Sequence, residues 1–205
     1  GKPHVIRVRE MLPYAGITAP PHTETENGMN YADIKQYDIA NGPGVRVSVF
    51  VSGCTRGCPG CFNREAWDFS YGEPFTRETV KEVLSYLAPD YVRGLSLLGG
   101  EPFEHSNQTG LLPFVRCVKE KYPDKDIWCF SGYLFDEDIC GRMCKEWPET
   151  REFLSYIDVL VDGRFVRELH NVNLRFKGSS NQRTIMVQES LKEGKIVLLD
   201  SPESM

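Results

Sequence analysis

The chain has 205 residues, enough for one domain whose hydrophobic core needs no disulfide or metal to hold it together. Hydrophobic residues make up 40% and charged residues 26%, the net charge is −5, and no apolar run approaches the roughly 20 residues that cross a bilayer. A largely disordered chain, a membrane-spanning helix and a dedicated binder of nucleic-acid phosphates are thereby excluded.

The N-terminal segment lacks the compact apolar stretch of a secretory signal, so the expected compartment is the reducing cytoplasm. Seven cysteines cannot all pair within one chain, and clustered thiols in that compartment bind metal or carry out redox chemistry.

Residues 1–28 carry Pro3, Pro13, Pro20 and Pro21 and no sustained periodicity, and read as a flexible or artificial N-terminal extension. A short apolar patch at Val5, Ile6 and Val8 is the one hint of a strand or docking segment there, and Met29 is a candidate natural start for a domain over 29–205. A strand is predicted over 45–51, where Val and Phe alternate with small and polar residues. Thr76 is the N-cap of a helix on which Val80, Val83, Leu84 and Leu87 share a face, ended by Pro89. A short strand over 94–98 ends in Gly99 and Gly100, a helix runs over 111–122, and a strand over 126–130 ends at Ser131 and Gly132. One or two helices lie between 136 and 156 with a break near Pro148, followed by strands over 157–161 and 195–199. Strands alternating with helices predict an α/β fold: a mostly parallel sheet with helices outside and ligands at the carboxyl ends of the strands. The length is short of an eight-stranded barrel, so an open, partial β/α barrel is expected.

Cys54, Cys58 and Cys61 fall within eight residues of a Gly- and Pro-rich loop directly after the first core strand. Three soft thiolates suit zinc or an iron–sulfur cluster. A closed zinc site takes four ligands, and the nearest candidates for a fourth, His105, Cys117 and Cys129, are distant in sequence. A cubane on three cysteines keeps one iron open. Cys140 and Cys144 repeat the first spacing without a third member and read as helical neighbours of no special chemistry. Gly99, Gly100 and Glu101 end the next strand, where glycines admit a ligand to the backbone and a carboxylate can hold an ammonium group.

Taken together these residues resemble the radical S-adenosylmethionine superfamily, and within it the activating enzymes of anaerobic ribonucleoside-triphosphate reductases. The likeness rests on DIANGPGVR at 38–46, FVSGC at 50–54, CPGCFN at 58–63, LSLLGGEP at 95–102, KDIW at 125–128, SGY at 131–133, VLVDGRF at 159–165 and GSSNQ at 178–182. Two departures stand out: Gly60 takes the place just before the third cysteine where many members carry an aromatic residue, with Phe62 following, and Leu98 stands where a small polar residue is common.

The resemblance implies a [4Fe-4S] cluster on Cys54, Cys58 and Cys61, with S-adenosylmethionine on the open iron. Gly99, Gly100 and Glu101 would line its amino group, and Gly60, Cys61 and Phe62 would face its adenine. It further implies a radical oxidoreductase that makes the glycyl radical of the reductase large subunit, fed by a donor such as flavodoxin or ferredoxin, with no side-chain catalyst, no nucleic acid and no membrane. The alternatives are an activase of another glycyl-radical enzyme and a zinc-binding interaction module without turnover.

Residues 41–44 read equally as a tight turn or as a receiver of the partner's glycine loop. Ser131, Gly132 and Asp162 at strand ends are expected in structural roles, with a ribose or partner contact as the alternative; His105 is expected at the surface, and Trp67, Trp128 and Trp147 in the core, with an interface as the alternative. Arg164, Arg167, Arg175, Lys177 and Arg183 read as a solvated face, with partner docking the sharper alternative.

Overall fold

A computed structural model describes residues 28–199. The expected extension over 1–28, Gly28 apart, and the chain after residue 199 lie outside the described residues.

The first core strand, β2 (Val45–Val51), is buried along nearly its whole length, as a central parallel strand must be. It is preceded by β1 (Asn30–Asp38), which the sequence reading missed because its buried face is thin and its outer face carries Asp33, Lys35 and Tyr37. β3 (Glu73–Pro74) pairs with β1, and β4 (Val92–Gly99), β5 (Asp126–Phe130), β6 (Val159–Asp162) and β7 (Arg183–Met186) complete the set.

One seven-stranded sheet results, ordered β3-β1-β2-β4-β5-β6-β7. The four central strands run parallel, while β1 and β7 pair antiparallel at either side. The strand expected over 195–199 is not formed as such among the described residues: that segment makes only an isolated bridge from Leu198 to Ile185 and backbone bonds beside β7. The intervening chain is taken by β7 and α5 (Val187–Glu193), which ends at Gly194 in the left-handed conformation.

The crossovers are helical. α1 (Arg77–Leu87) starts where expected, with the Thr76 hydroxyl accepting from the Thr79 amide and the Thr79 hydroxyl from the Thr76 amide. α2 (His105–Lys121) begins a turn and a half before its apolar period becomes legible and carries Pro113 within it. A π-helix over Phe135–Met143 continues into α3 (Cys144–Glu146), and α4 (Pro148–Tyr156) follows the expected break, with Pro148 in its first turn.

The main core lies between the sheet and these helices, with Val47, Val49, Leu95, Leu97, Ile127 and Leu160 facing Leu111, Val115 and Phe153. Cys129, Cys140 and Cys144 are buried in it, as small apolar side chains often are. The opposite face carries Trp128, Val159 and Val161 and a polar element built on Arg46. Arg46 is wholly buried. It donates to Ser96 Oγ at 2.8 Å and Leu95 O at 2.8 Å, pairs with Asp126, and stacks over Trp128. Ser96 passes the chain of bonds on to Asn41 O at 2.6 Å, which fixes the turn over 41–44 against the sheet. Gly42 is required there, because a Cβ would stand 2.7 Å from the Arg46 side chain.

Candidate metal centre

The carboxyl ends of β2, β4, β5 and β6 open into a cleft of about 640 Å³. Cys54, Cys58 and Cys61 line it together with Gly99, Gly100 and Glu101, so the two sequence-distant motifs are brought to one place. Gly60 and Phe62 line it as well, the Phe62 ring being 83% exposed at the rim. His105, Cys117 and Cys129 are not among the lining residues. His105 is exposed and stacks on Trp147 with ring centroids 4.5 Å apart.

The cysteine loop is fixed by backbone bonds. Cys54 N donates to Trp67 O at 3.1 Å, Gly53 N to Ala66 O at 2.8 Å, and Cys61 N to Cys58 O at 3.1 Å. Gly57 and Gly60 take positive φ, which lets the chain curl with all three thiols on the cleft. At Gly60 the φ of 77° also explains why an aromatic side chain is missing before the third cysteine. Phe165, on the far side of the cleft, fills the adjoining space, its Cε1 3.6 Å from where a Cβ on Gly60 would stand.

Gly99 and Gly100 serve the fold before they serve any ligand. A Cβ on Gly99 would stand 2.7 Å from the Phe50 backbone, and one on Gly100 2.5 Å from Gly53 O. Their closeness lets Gly100 N donate to Val51 O at 2.7 Å and Glu101 N to Gly53 O at 2.9 Å, stitching the two motifs together. Asn107 completes the join from α2: its buried amide donates to Ser52 O, Gly53 O and Glu101 O at 3.0, 3.2 and 2.9 Å. Nothing in the local sequence marks Asn107, since its acceptors on the cysteine loop lie more than fifty residues away.

Glu101 is 1% exposed. Burial pushes its carboxyl up to about 7, against hydrogen bonds from Phe103 N, Gly132 N and Ser131 Oγ that stabilise the charged form. Ser131 and Gly132 thus serve the structure as expected, and both also line the cleft. Asp162 serves the structure too: it is buried and bonded to Arg183 and to Phe135 N. Burial also pushes the Cys54 thiol up to about 11.

The far wall of the cleft is the loop between β6 and β7. Gln182 holds its base, donating to Gly163 O at 2.9 Å and accepting from Gly178 N and Ser179 N at 2.8 and 3.1 Å. Arg167 and Lys177 line the cleft and Arg164 donates to Arg56 O at 2.5 Å, while Arg164 and Arg167 stay exposed, so the solvated face expected here borders the cleft. Arg183 is a structural partner of Asp162 and Asp136. Of the three tryptophans only Trp128 is core; Trp147 is half-buried, and Trp67 lines the cleft beneath the Arg64 guanidinium.

The donor set fits an iron–sulfur group. Three thiols edge one cleft, with His170 of the β6–β7 loop the one histidine among its lining residues, and three soft thiolates suit a cluster that keeps one iron open. A family model described as a 4Fe-4S single cluster domain matches residues 40–185. An anaerobic ribonucleoside-triphosphate reductase-activating protein of Enterobacteria phage T4 is 43% identical over 155 residues, covering 76% of this chain and 92% of the relative. Proteins of the same name from Pasteurella multocida and Escherichia coli K12 are 41% and 38% identical, each over 75% of this chain and 95% and 96% of theirs.

The chain belongs to this family of reductase-activating proteins. The matched 4Fe-4S domain spans all four central strands and both cleft-forming motifs.

Proposed function

We propose that this protein holds a [4Fe-4S] cluster on Cys54, Cys58 and Cys61, binds S-adenosylmethionine beside it, and generates the glycyl radical of an anaerobic ribonucleoside-triphosphate reductase. One observation carries the reading: the three cysteines and the Gly99–Glu101 turn, from separate strand ends, line a single cleft, in a chain whose relatives bear the name of reductase activators. When bound, the cluster and S-adenosylmethionine supply the chemistry, one electron splitting a carbon–sulfur bond so that a 5′-deoxyadenosyl radical takes hydrogen from a glycine of the reductase large subunit.

The chain's own residues bind and orient. Cys58 is buried while Cys54 and Cys61 are half-buried, so the loop grips from its floor and leaves one side free. Glu101 receives the amino group, and an arriving ammonium favours its ionised form over the neutral one that burial prefers. Gly60, Cys61 and Phe62 flank the adenine. Phe130, Phe165 and Phe176 give the cleft an apolar lining that excludes water. The turn over 41–44, with Asn41 on the cleft, receives the partner's glycine.

No side chain moves a proton, so no acid–base catalyst is assigned. The electron comes from a protein donor of flavodoxin or ferredoxin type. The seven-stranded sheet is read as the open partial barrel of such enzymes, working in the cytoplasm; among the described residues no helix is long and apolar enough to cross a membrane.

The test is electron paramagnetic resonance on an anaerobic mixture of the reconstituted protein, S-adenosylmethionine, a strong reductant and the reductase subunit. A glycine-centred doublet that needs S-adenosylmethionine is expected. Accumulation of 5′-deoxyadenosine without a doublet points to another glycyl-radical partner. A colourless, iron-free protein holding one tight zinc overturns the enzyme reading.

A further inference from the structure

Arg56 stands between the first two cysteines, and its Nε is buried without a hydrogen-bond partner. Among the described residues the guanidinium makes no ion pair; its contact is a stack over the Tyr133 ring, 4.3 Å from the centroid. The nearby Glu104 carboxylate makes no ion pair with Arg56; its Oε1 accepts from the Thr55 amide at 2.8 Å and the Thr55 hydroxyl at 2.5 Å. A buried guanidinium donor left open costs free energy that native structures rarely tolerate, and a carboxylate is the acceptor that satisfies it best.

Arg56 lines the cleft, and so does Glu101. Both meet at Gly132: a Cβ there would stand 3.2 Å from Arg56 Cγ, 3.4 Å from Arg56 Nε and 3.5 Å from Glu101 Oε2. Glycine at that position keeps the space between a guanidinium and a carboxyl open. A guanidinium and a carboxyl that an arriving ammonium ionises, either side of a gap that small, match a zwitterion, the α-ammonium and α-carboxylate of an amino acid. Arg164 holds the arrangement from outside by donating to the carbonyl oxygens of Arg56 and Gly57 at 2.5 and 3.3 Å.

We propose that Arg56 receives the α-carboxylate of the bound amino-acid moiety while Glu101 takes its ammonium, so that Arg56 sets the specificity of the cleft for an intact α-amino acid head group. This rests on the reading of the cleft as the S-adenosylmethionine site, and adds to it a residue that recognises the cofactor rather than the metal.

Equilibrium binding to the reconstituted, unreduced protein separates the possibilities, with S-adenosylmethionine and its decarboxylated analogue as the two probes and iron content measured on each sample. Arg56→Gln weakens S-adenosylmethionine binding about tenfold, as loss of a charge-assisted hydrogen bond does. It leaves the decarboxylated analogue within about twofold of its wild-type affinity, because only the ligand carboxylate couples to Arg56. Arg56→Lys, which keeps the charge, recovers part of the loss. Equal weakening of both ligands, or none of either, overturns the assignment. A wild-type protein with full iron content that binds neither ligand overturns the cofactor reading itself, and this inference with it.

Discussion

Glu101 shows how burial decides what a residue does here. Its carboxyl is held near 7 because the cost of burying a charge exceeds what three hydrogen-bond donors return. The folded state therefore keeps a proton that the unfolded chain releases near the usual carboxylate range, so stability of the cofactor-free protein falls as pH rises from about 4.5 to 7. The expected loss across that window is about 3 kcal/mol, read from urea melts at stepped pH. Glu101→Gln, whatever its absolute stability, loses that slope. A wild-type slope of the opposite sign would mean that the carboxyl is ionised in the fold.

The same residue was legible in the sequence as a candidate ligand, since a Gly-Gly-Glu turn after a strand is a local pattern. Its protonation was not, because that depends on burial by the fold, set against the opposing bonds from Ser131 and Gly132 about thirty residues away. Asp38 makes the contrast: burial pushes its carboxyl up, but bonds from Ser48, Ala40 and Asn41 outweigh that and hold it below the usual range.

At the scale of elements, the site is a joint between two strand ends and one helix. The loop after β2 and the turn after β4 are tied by two backbone bonds and by the side chain of Asn107, on the first turn of α2. Asn107→Ala leaves three buried carbonyl oxygens short of a donor, a loss of about 2 kcal/mol. More to the point, it loosens the cysteine loop. Iron is expected to leave the reconstituted variant faster than wild type in the presence of a chelator, followed by loss of the cluster absorbance. Unchanged release would show that the backbone bonds suffice. α2 also marks where periodicity misleads. Its apolar stripe is legible from residue 111, yet the turn that bears Asn107 is polar in sequence and buried only because it plugs the strand ends.

For the molecule as a whole, the cleft depends on a sheet whose second face is closed by polar bonds. Arg46 links β2, β4 and β5 through Ser96, Leu95 and Asp126, at the opposite ends of the strands from the cysteines. Arg46→Met removes the buried donor that Asp126 and Ser96 share, leaving Asp126 with Arg93 alone and Ser96 with Asn41 O, and is expected to cost about 3 kcal/mol in urea denaturation. Because that damage lies a strand's length from the cluster loop, chelator release at low temperature should stay close to wild type. The pair of variants separates global stability from the local joint: Asn107→Ala shifts iron release more than its stability predicts, and Arg46→Met the reverse. Equal behaviour of the two would mean that the cleft and the sheet melt as one unit.

The sequence by itself determined the thiol cluster, the Gly-Gly-Glu turn, the α/β order of the central strands and the family resemblance, because each is written in residues within a few positions of one another. It also placed the break before Pro148 and the cap at Thr76, where proline's missing amide and threonine's hydroxyl act on their immediate neighbours. Tertiary structure alone decided that the polar strand β1 pairs with β2, and that residues 195–199 only flank β7. It likewise brought Trp67 to the cleft rather than to the core, and set Arg56, Lys177 and the exposed Arg167 along it. Those outcomes rest on burial and on partners fifty or a hundred residues distant, and the free energy of a contact is set by what the fold places beside a side chain, not by what precedes it in the chain.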